Sequence, residues 1–346
     1  MDKIRFGVIG LGRFGEVHCQ ALSNLPQVEL FALCTRTESR LRELSEQFNV
    51  PHRYADYREL LANPDLDAVS VVTMWDQHAA PVLAALDAGK HVFVEKPLAS
   101  TAGECDAIVR AAATAPCFLM VGHICRFNPR YAAAKREIDA GAIGRIVSLY
   151  ARRNIPAEVS RTVLAKIGPI VGDGVHDTDL MLWFTGARIE TAYAQTLSVR
   201  NLPNPDIGWT MYRFDSGAIG VCENVWFLPQ KTPYRIDERM EIIGTDGAIY
   251  IQESAASLSI CDRDGWRSPD TTYWPLVDGH RGGALREELA YFVDSILRGE
   301  RPGIITPEEA AASVKACLAA EDSAAKGIPV RLDGATVAEG PPVFSP

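Results

Sequence analysis

The sequence holds no Cys-x-x-Cys pair, no HExxH, no EF-hand loop and no apolar run of membrane-spanning length. Its eight cysteines, at 19, 34, 105, 117, 125, 222, 261 and 317, are scattered, several of them inside apolar runs. That pattern argues against a disulfide framework or a zinc site and fits buried thiols in a reducing compartment. Basic charge is also short. Lys and Arg number 35 against 44 Asp and Glu, a formal charge of −9, so the basic face that nucleic acid or an acidic membrane requires is missing. Anionic small molecules stay open, because a local field can oppose the net charge. The opening MDKIRFGVIG reads as a strand cut by glycine, not as a signal peptide, and a cytoplasmic location is expected. No internal repeat and no low-complexity tract occurs.

What is present is the composition of a soluble globular protein, 47% apolar and 23% charged over 346 residues. That length is too great for one ordinary core, and two domains are expected, at 1–122 and 123–346. Up to about residue 120, short apolar strands (4–9, 28–34, 68–73, 91–94, 118–121) alternate with helical patterns (14–25, 37–48, 57–61, 77–88, 101–113). Near-continuous apolar strands in alternation with helices predict an α/β fold with a doubly wound parallel sheet. Beyond residue 145 the texture changes. IVSLYARR, ETAYAQTLSV, GWTMYRFD, AIGVCENVWF, RMEIIG and AIYIQE follow closely, joined by turn signals such as Asp215-Ser216-Gly217 and Asp246-Gly247. These predict an open, mostly antiparallel sheet, marginal alone, so homo-oligomerisation through it is expected. Helical patterns at 283–298 and 307–326 close the chain, with Gly327 as the stop of the second.

The first strand runs into Gly10-Leu11-Gly12-Arg13-Phe14-Gly15 and then a helix, the context in which GxGxxG predicts dinucleotide binding. Gly10 permits the tight turn, Gly12 lets backbone approach a pyrophosphate, and Gly15 lets helix pack on strand. After the second strand no carboxylate stands where a ribose would be recognised. Thr35, Arg36 and nearby hydroxyls stand there instead, a set that suits a 2′-phosphate, so NADP(H) is favoured, with NAD(H) possible if Arg36 only stacks on adenine.

Two further stretches carry chemistry. HVFVEKPLAS places Glu95, Lys96 and Pro97 at the C-terminal edge of a buried strand, either as a solvated turn or as an ammonium aimed into a cleft. GDGVHDTDLMLWF sets Asp173, His176 and Asp179 three apart on one helix face, where flanking acids hold an imidazole in one tautomer. A capped helix start with solvated acids and a divalent metal site compete with that reading, but the spacing matches no metal motif and no metal is expected. Hydride chemistry needs a proton partner, and His176 as acid/base with Lys96 beside the reacting oxygen links these features best.

GVIGLGRFG, EKPLA, GHICRFNP, DGVHDTD and IIGTDGAIYI together resemble the Gfo/Idh/MocA oxidoreductase family over nearly the whole chain. The resemblance implies NAD(P)-dependent oxidation or reduction of a hydroxyl on a sugar, sugar derivative or cyclitol, and an open sheet used for oligomerisation. It makes Lys96 of the EKP motif a contact of nicotinamide ribose and substrate, often with a cis Lys–Pro bond, and His176 the acid/base. Two departures stand out. The family's aspartate four residues before the histidine falls on Gly172, leaving Asp173 to orient His176 or the substrate. Where the family reads Thr-Pro-Asn-x-x-His, this chain keeps Thr73 and His78 but puts Trp75 in place of the asparagine. The expected cofactor set is thus Gly10, Gly12, Arg13, Phe14, Gly15, Thr35, Arg36, Thr73, Trp75, His78, Glu95 and Lys96. Arg126, Arg153, Asn154 and Tyr234 are weaker expectations as substrate contacts. Rival functions are a non-catalytic cofactor-sensing regulator of the same fold, or transient oxidation driving elimination or epimerisation.

Overall fold

A strand that is apolar on both faces must be covered on both, and the N-terminal runs of that kind share one sheet. The structure is a computed structural model that describes residues 3–157, 166–229, 232, 236–252, 258–263 and 265–333, with only the backbone of 265–267. Strands β1 (Ile4–Ile9), β2 (Val28–Cys34), β3 (His52–Tyr54), β4 (Ala68–Val71), β5 (His91–Glu95) and β6 (Leu119–Gly122) run in the order β3-β2-β1-β4-β5-β6. All their pairings are parallel. This order reverses direction between β1 and β4, the switch point at which doubly wound sheets bind ligands. Three-residue β3 has no readable period, which is why sequence alone passes it over.

Helices α1 (Arg13–Ser23), α2 (Glu38–Gln47), α3 (Tyr57–Leu61), α4 (Ala79–Asp87) and α5 (Ala102–Thr114) alternate with the strands, and α6 (Pro129–Asp139) follows them. Local chemistry sets their ends. At α5, the Thr101 hydroxyl accepts from the Glu104 N–H at 3.1 Å while the Glu104 carboxylate accepts from the Thr101 N–H at 3.1 Å.

The six later runs become β7 (Ile146–Asn154), β8 (Ile189–Leu197), β9 (Ile207–Phe214), β10 (Ile219–Val225), β11 (Asp237–Gly244) and β12 (Ala248–Gln252). With β17 (Val330–Arg331) they form a sheet of order β12-β11-β7-β10-β9-β8-β17, in which β7 and β10 pair parallel and the other pairs are antiparallel. Between β7 and β8 lie α7 (Pro169–Gly172) and α8 (Gly174–Thr185). Along β9, Gly208, Thr210, Tyr212 and Phe214 are buried, while Trp209, Met211 and Arg213 are exposed. Helix α8 packs on β7 and β10. The open face carries Trp209, Met211, Ile219 and Tyr250, each 44–62% exposed.

Two short two-stranded pairs, β13 (Ile260–Asp262) with β14 (Gly265–Arg267) and β15 (Leu276–Val277) with β16 (His280–Arg281), precede α9 (Gly283–Arg298) and α10 (Pro307–Lys326). Gly327 follows at φ 72°, its N–H on the Ser323 carbonyl at 2.8 Å, as its stop signal predicts. Seven of the eight cysteines are buried, and burial pushes the Cys19 and Cys34 thiols up to about 12, so both act as small apolar fillers.

Packing divides the described chain differently from the single boundary after residue 122. One compact unit holds 3–139, 258–263 and 265–314; the other holds 140–157, 166–229, 232, 236–252 and 315–333. The reason is an uncovered sheet face. Phe292 of α9 stands edge-on to Phe6 of β1 at 6.3 Å and to Phe93 of β5 at 5.9 Å, so a helix distant in sequence completes the core of the parallel sheet. Phe292→Ala is expected to lower the unfolding free energy by about 3–5 kcal/mol. Denaturant melts checked against wild type measure it, and a loss below roughly 1 kcal/mol would mean that α9 does not seal this core.

Candidate active site

The glycine loop separates structural from ligand-facing positions. Gly10 sits at φ 98°, and a Cβ there would lie 2.6 Å from the Val72 carbonyl oxygen. A Cβ on Gly15 would come within 2.0 Å of the Gly10 carbonyl oxygen, so helix and turn could not close. Around Gly12 a Cβ meets nothing within 4 Å. The protein itself therefore places no demand for glycine at position 12, and a phosphate approaching the N-terminus of α1 does. Gly12 is also the residue that begins α1, and no side chain caps it. The loop is braced from behind by Arg40, which donates to the Leu11 carbonyl at 3.1 Å and pairs with Glu16. Phe14 packs edge-on against Trp274 at 5.2 Å, and Arg13 is exposed beside it. These residues fit a dinucleotide.

Beyond the ends of β2 and β4, which flank β1, exposed Arg36 donates to the Gln77 side-chain oxygen at 3.1 Å, and the Thr73 hydroxyl donates to the Gln77 carbonyl at 3.2 Å. Thr35 is half-buried after β2, and Trp75 is half-buried on the 3₁₀ turn Trp75–Gln77.

The end of β5 is held more tightly. Glu95 is buried; one carboxylate oxygen takes the His18 Nε2–H at 3.0 Å and the other takes the Lys96 backbone N–H at 3.2 Å. The other nitrogen of His18 meets the Ser70 hydroxyl at 2.9 Å. Lys96 is half-buried, and the Lys96–Pro97 bond is cis, as the resemblance implies. His78 lies between two carbonyl oxygens, Pro97 at 2.8 Å and Thr73 at 3.1 Å. Burial pushes the His78 pKa down although both carbonyls pull it up. A neutral ring has one N–H, and the shorter contact assigns it to Pro97. Glu95 and His78, both expected to touch the cofactor, thus support the lysine turn from inside.

In the other unit, Asp173 begins α8, and the His176 backbone N–H donates to its carbonyl at 3.0 Å. The His176 side chain is largely buried and that of Asp173 is half-buried. Position 172 has a steric explanation. A Cβ on Gly172 would lie 2.4 Å from the Trp226 indole, so the buried indole occupies the space an aspartate there would need. One residue beyond His176, Asp177 accepts from Arg153 at 3.0 and 3.3 Å, and Arg153 also donates to Glu238 at 3.1 Å. Burial pushes the Asp177 carboxyl up to about 6, while Arg153 pulls it down.

Three residues expected to contact substrate have partners inside the protein. Arg153, 2% exposed, is committed to that ion triad. Asn154 donates to Glu223 at 2.7 Å and accepts from the Val225 N–H at 2.7 Å, which ties β7 to β10. Arg126, also 2% exposed, donates to the Ile304 carbonyl at 2.6 Å and pairs with Glu309. Each is a cation or amide satisfied inside the protein, and motif position alone does not reveal that. Tyr234 lies outside the described residues. Trp226 was missed altogether: it follows β10, and its contact with Gly172 joins positions far apart in sequence.

Residues 4–123 match the family model described as the oxidoreductase family with an NAD-binding Rossmann fold, and 131–250 match the GFO/IDH/MocA C-terminal domain. The chain belongs to the Gfo/Idh/MocA oxidoreductase family. It is 30% identical over 310 residues to the myo-inositol 2-dehydrogenase of Thermotoga maritima, spanning 87% of this chain and 90% of that one. It is also 30% identical over 345 residues to the scyllo-inositol 2-dehydrogenase (NAD(+)) of Bacillus subtilis, spanning 96% and 97%. The crystal structure of apo scyllo-inositol dehydrogenase from Lactobacillus casei matches with a TM-score of 0.84 at 25% identity, covering 96% of this chain and 99% of that one. As a family member the protein is a nicotinamide-dependent oxidoreductase of CH–OH groups. Among the described residues no three His, Cys, Asp or Glu side chains cluster as metal ligands, and no helix is long and apolar enough to cross a membrane.

Gly12→Ala is expected to leave the melting temperature unchanged and to weaken dinucleotide binding about tenfold or more, by about 1.4 kcal/mol per tenfold. Gly15→Ala, which clashes with backbone, is expected to destabilise the fold by about 2–4 kcal/mol. Calorimetric titration and thermal melts separate the two, and unaltered binding by Gly12→Ala would remove the phosphate from that side of the loop.

Proposed function

We propose that this family member oxidises a ring hydroxyl of a cyclitol or cyclic sugar derivative, with NAD(H) as its hydride partner. The observation that carries the reading is Lys96, an amine at the C-terminal end of β5. Its backbone is tied to buried Glu95 and its following proline to His78. Bound nicotinamide supplies the hydride acceptor or donor. Lys96 stabilises the alkoxide that develops on the reacting oxygen, an electrostatic effect of a few kcal/mol. His176 takes or returns that oxygen's proton, and Asp173 orients the imidazole. The loop that Gly10 and Gly15 shape receives the pyrophosphate at Gly12, Thr35 and Arg36 border the adenosine end, and Thr73 and Trp75 border the nicotinamide end. The ring class is drawn from the inositol dehydrogenases among its relatives.

The preference for NADP that the Thr35–Arg36 stretch predicts is not retained. Arg36 is spanned to Gln77, which gives its guanidinium a neutral partner, and the family model and the Bacillus relative both name NAD. Eight cysteine thiols, seven of them buried, support a cytoplasmic location, and the exposed apolar face of the open sheet supports a homo-oligomer.

A spectrophotometric screen of inositols and cyclic sugars with both cofactors is expected to give turnover, with kcat/KM higher for NAD. Lys96→Met and His176→Ala should each cut kcat by about two to four orders of magnitude while the cofactor still binds. The double variant should be little worse than either single one, because both act on one oxygen. Near-normal kcat in either single variant refutes the role given to it. In light scattering, wild type should be oligomeric and Trp209→Glu with Met211→Glu should be smaller; a monomeric wild type removes the sheet as an interface.

A further inference from the structure

Glu288 has no place in the chemistry described so far. It lies on α9 with 0% exposure, and neither of its carboxyl oxygens has a hydrogen-bond partner among the described residues. A buried carboxyl left in that condition costs stability, and native proteins keep such groups rarely.

Its neighbours follow from periodicity. Glu288 and Phe292 are four apart on α9 and share a face; Phe93 and Glu95 are two apart on β5 and share a face. The Phe292 ring rests on the Phe93 ring at 5.9 Å, so Glu288 falls beside Glu95. Gly122 packs against the same pair: a Cβ there would lie 2.9 Å from a Glu95 carboxylate oxygen and 3.1 Å from the Phe93 ring. Glu95 is in turn the group that holds the Lys96 amide and His18.

Resting on the role given above to Lys96, we propose that Glu288 is a positioning residue for that lysine, acting through Glu95. With its carboxyl neutral, Glu95 keeps both of its hydrogen bonds; with it ionised, two buried carboxylates repel and Glu95 releases the lysine turn. Burial pushes Glu288 well above the usual carboxylate range, and the charge of Glu95 adds to the push. A raised acid is neutral below its folded pKa, so the turn is intact on the acid side of that pKa and loosens on its alkaline side. The titratable or charged side chains around it are few. Elements packed on α9 contribute His18 of α1, Glu95 of β5, and His123, Cys125 and Arg126 at the turn Ile124–Phe127, with Arg126 directed to Ile304 and Glu309.

The test is the pH profile of kcat for wild type and Glu288→Gln, a neutral side chain of the same shape. Wild type is expected to fall about tenfold per pH unit beyond its alkaline midpoint, whereas Glu288→Gln continues to higher pH with a KM close to wild type. Superimposable alkaline limbs overturn the proposal. If Glu288→Gln fails to fold, infrared difference spectra of the wild type decide. A protonated buried carboxyl band below the alkaline midpoint that titrates with the alkaline fall in kcat supports it, and absence of that band overturns it. Lys96→Met fixes which idea has failed: an inactive Lys96→Met beside identical limbs removes Glu288 alone. A fully active Lys96→Met removes the lysine's role, whatever the limbs do.

Discussion

A lysine can polarise a substrate oxygen only if its backbone is held in place while its charge stays partly in water. The residues around Lys96 meet that condition by dividing the work. Glu95 is buried and accepts from the Lys96 amide and from His18, His18 is seated on Ser70, and His78 takes up the Pro97 carbonyl. All of these groups lie in the unit built around the parallel sheet, and their bonds run through its interior. A buried carboxylate is costly unless charged or polar donors surround it, and here each oxygen has one. The remainder of the proposed chemistry depends on this turn staying in place.

The second unit handles charge differently. Arg153, Asp177 and Glu238 form a buried set with one cation and two carboxylates, which tie α8 to β7 and β11. Removing one partner from such a set costs about 3–5 kcal/mol, because the remaining charge is left buried without a counter-ion. That penalty keeps the first turn of α8, with Asp173 and His176, in one register against the sheet. The Gly172–Trp226 contact works in the same direction: the indole leaves position 172 no room for a side chain.

Patterns that depend on neighbours in sequence were legible. GLGRFG, the five long N-terminal strands, the helix from Gly174 and the helix at 283–298 all stand where periodicity and end signals place them. Side chains whose partners are distant were not. Arg126, Arg153 and Asn154 look like ligand contacts because they are polar and follow strands, yet each is consumed by groups 24 to 183 residues away. Glu288 is hidden for the same reason: nothing local marks it as buried, and only the packing of α9 on β5 brings it beside Glu95.

The amino-acid order alone determined the element types, the nucleotide-binding turn and the family, because these rest on spacing within a few residues. Tertiary structure alone decided which helix covers the parallel sheet, which polar side chains are satisfied internally, and which glycine leaves its space open. Those outcomes depend on desolvation and on contacts between segments far apart in the chain, and neither is encoded in any local pattern.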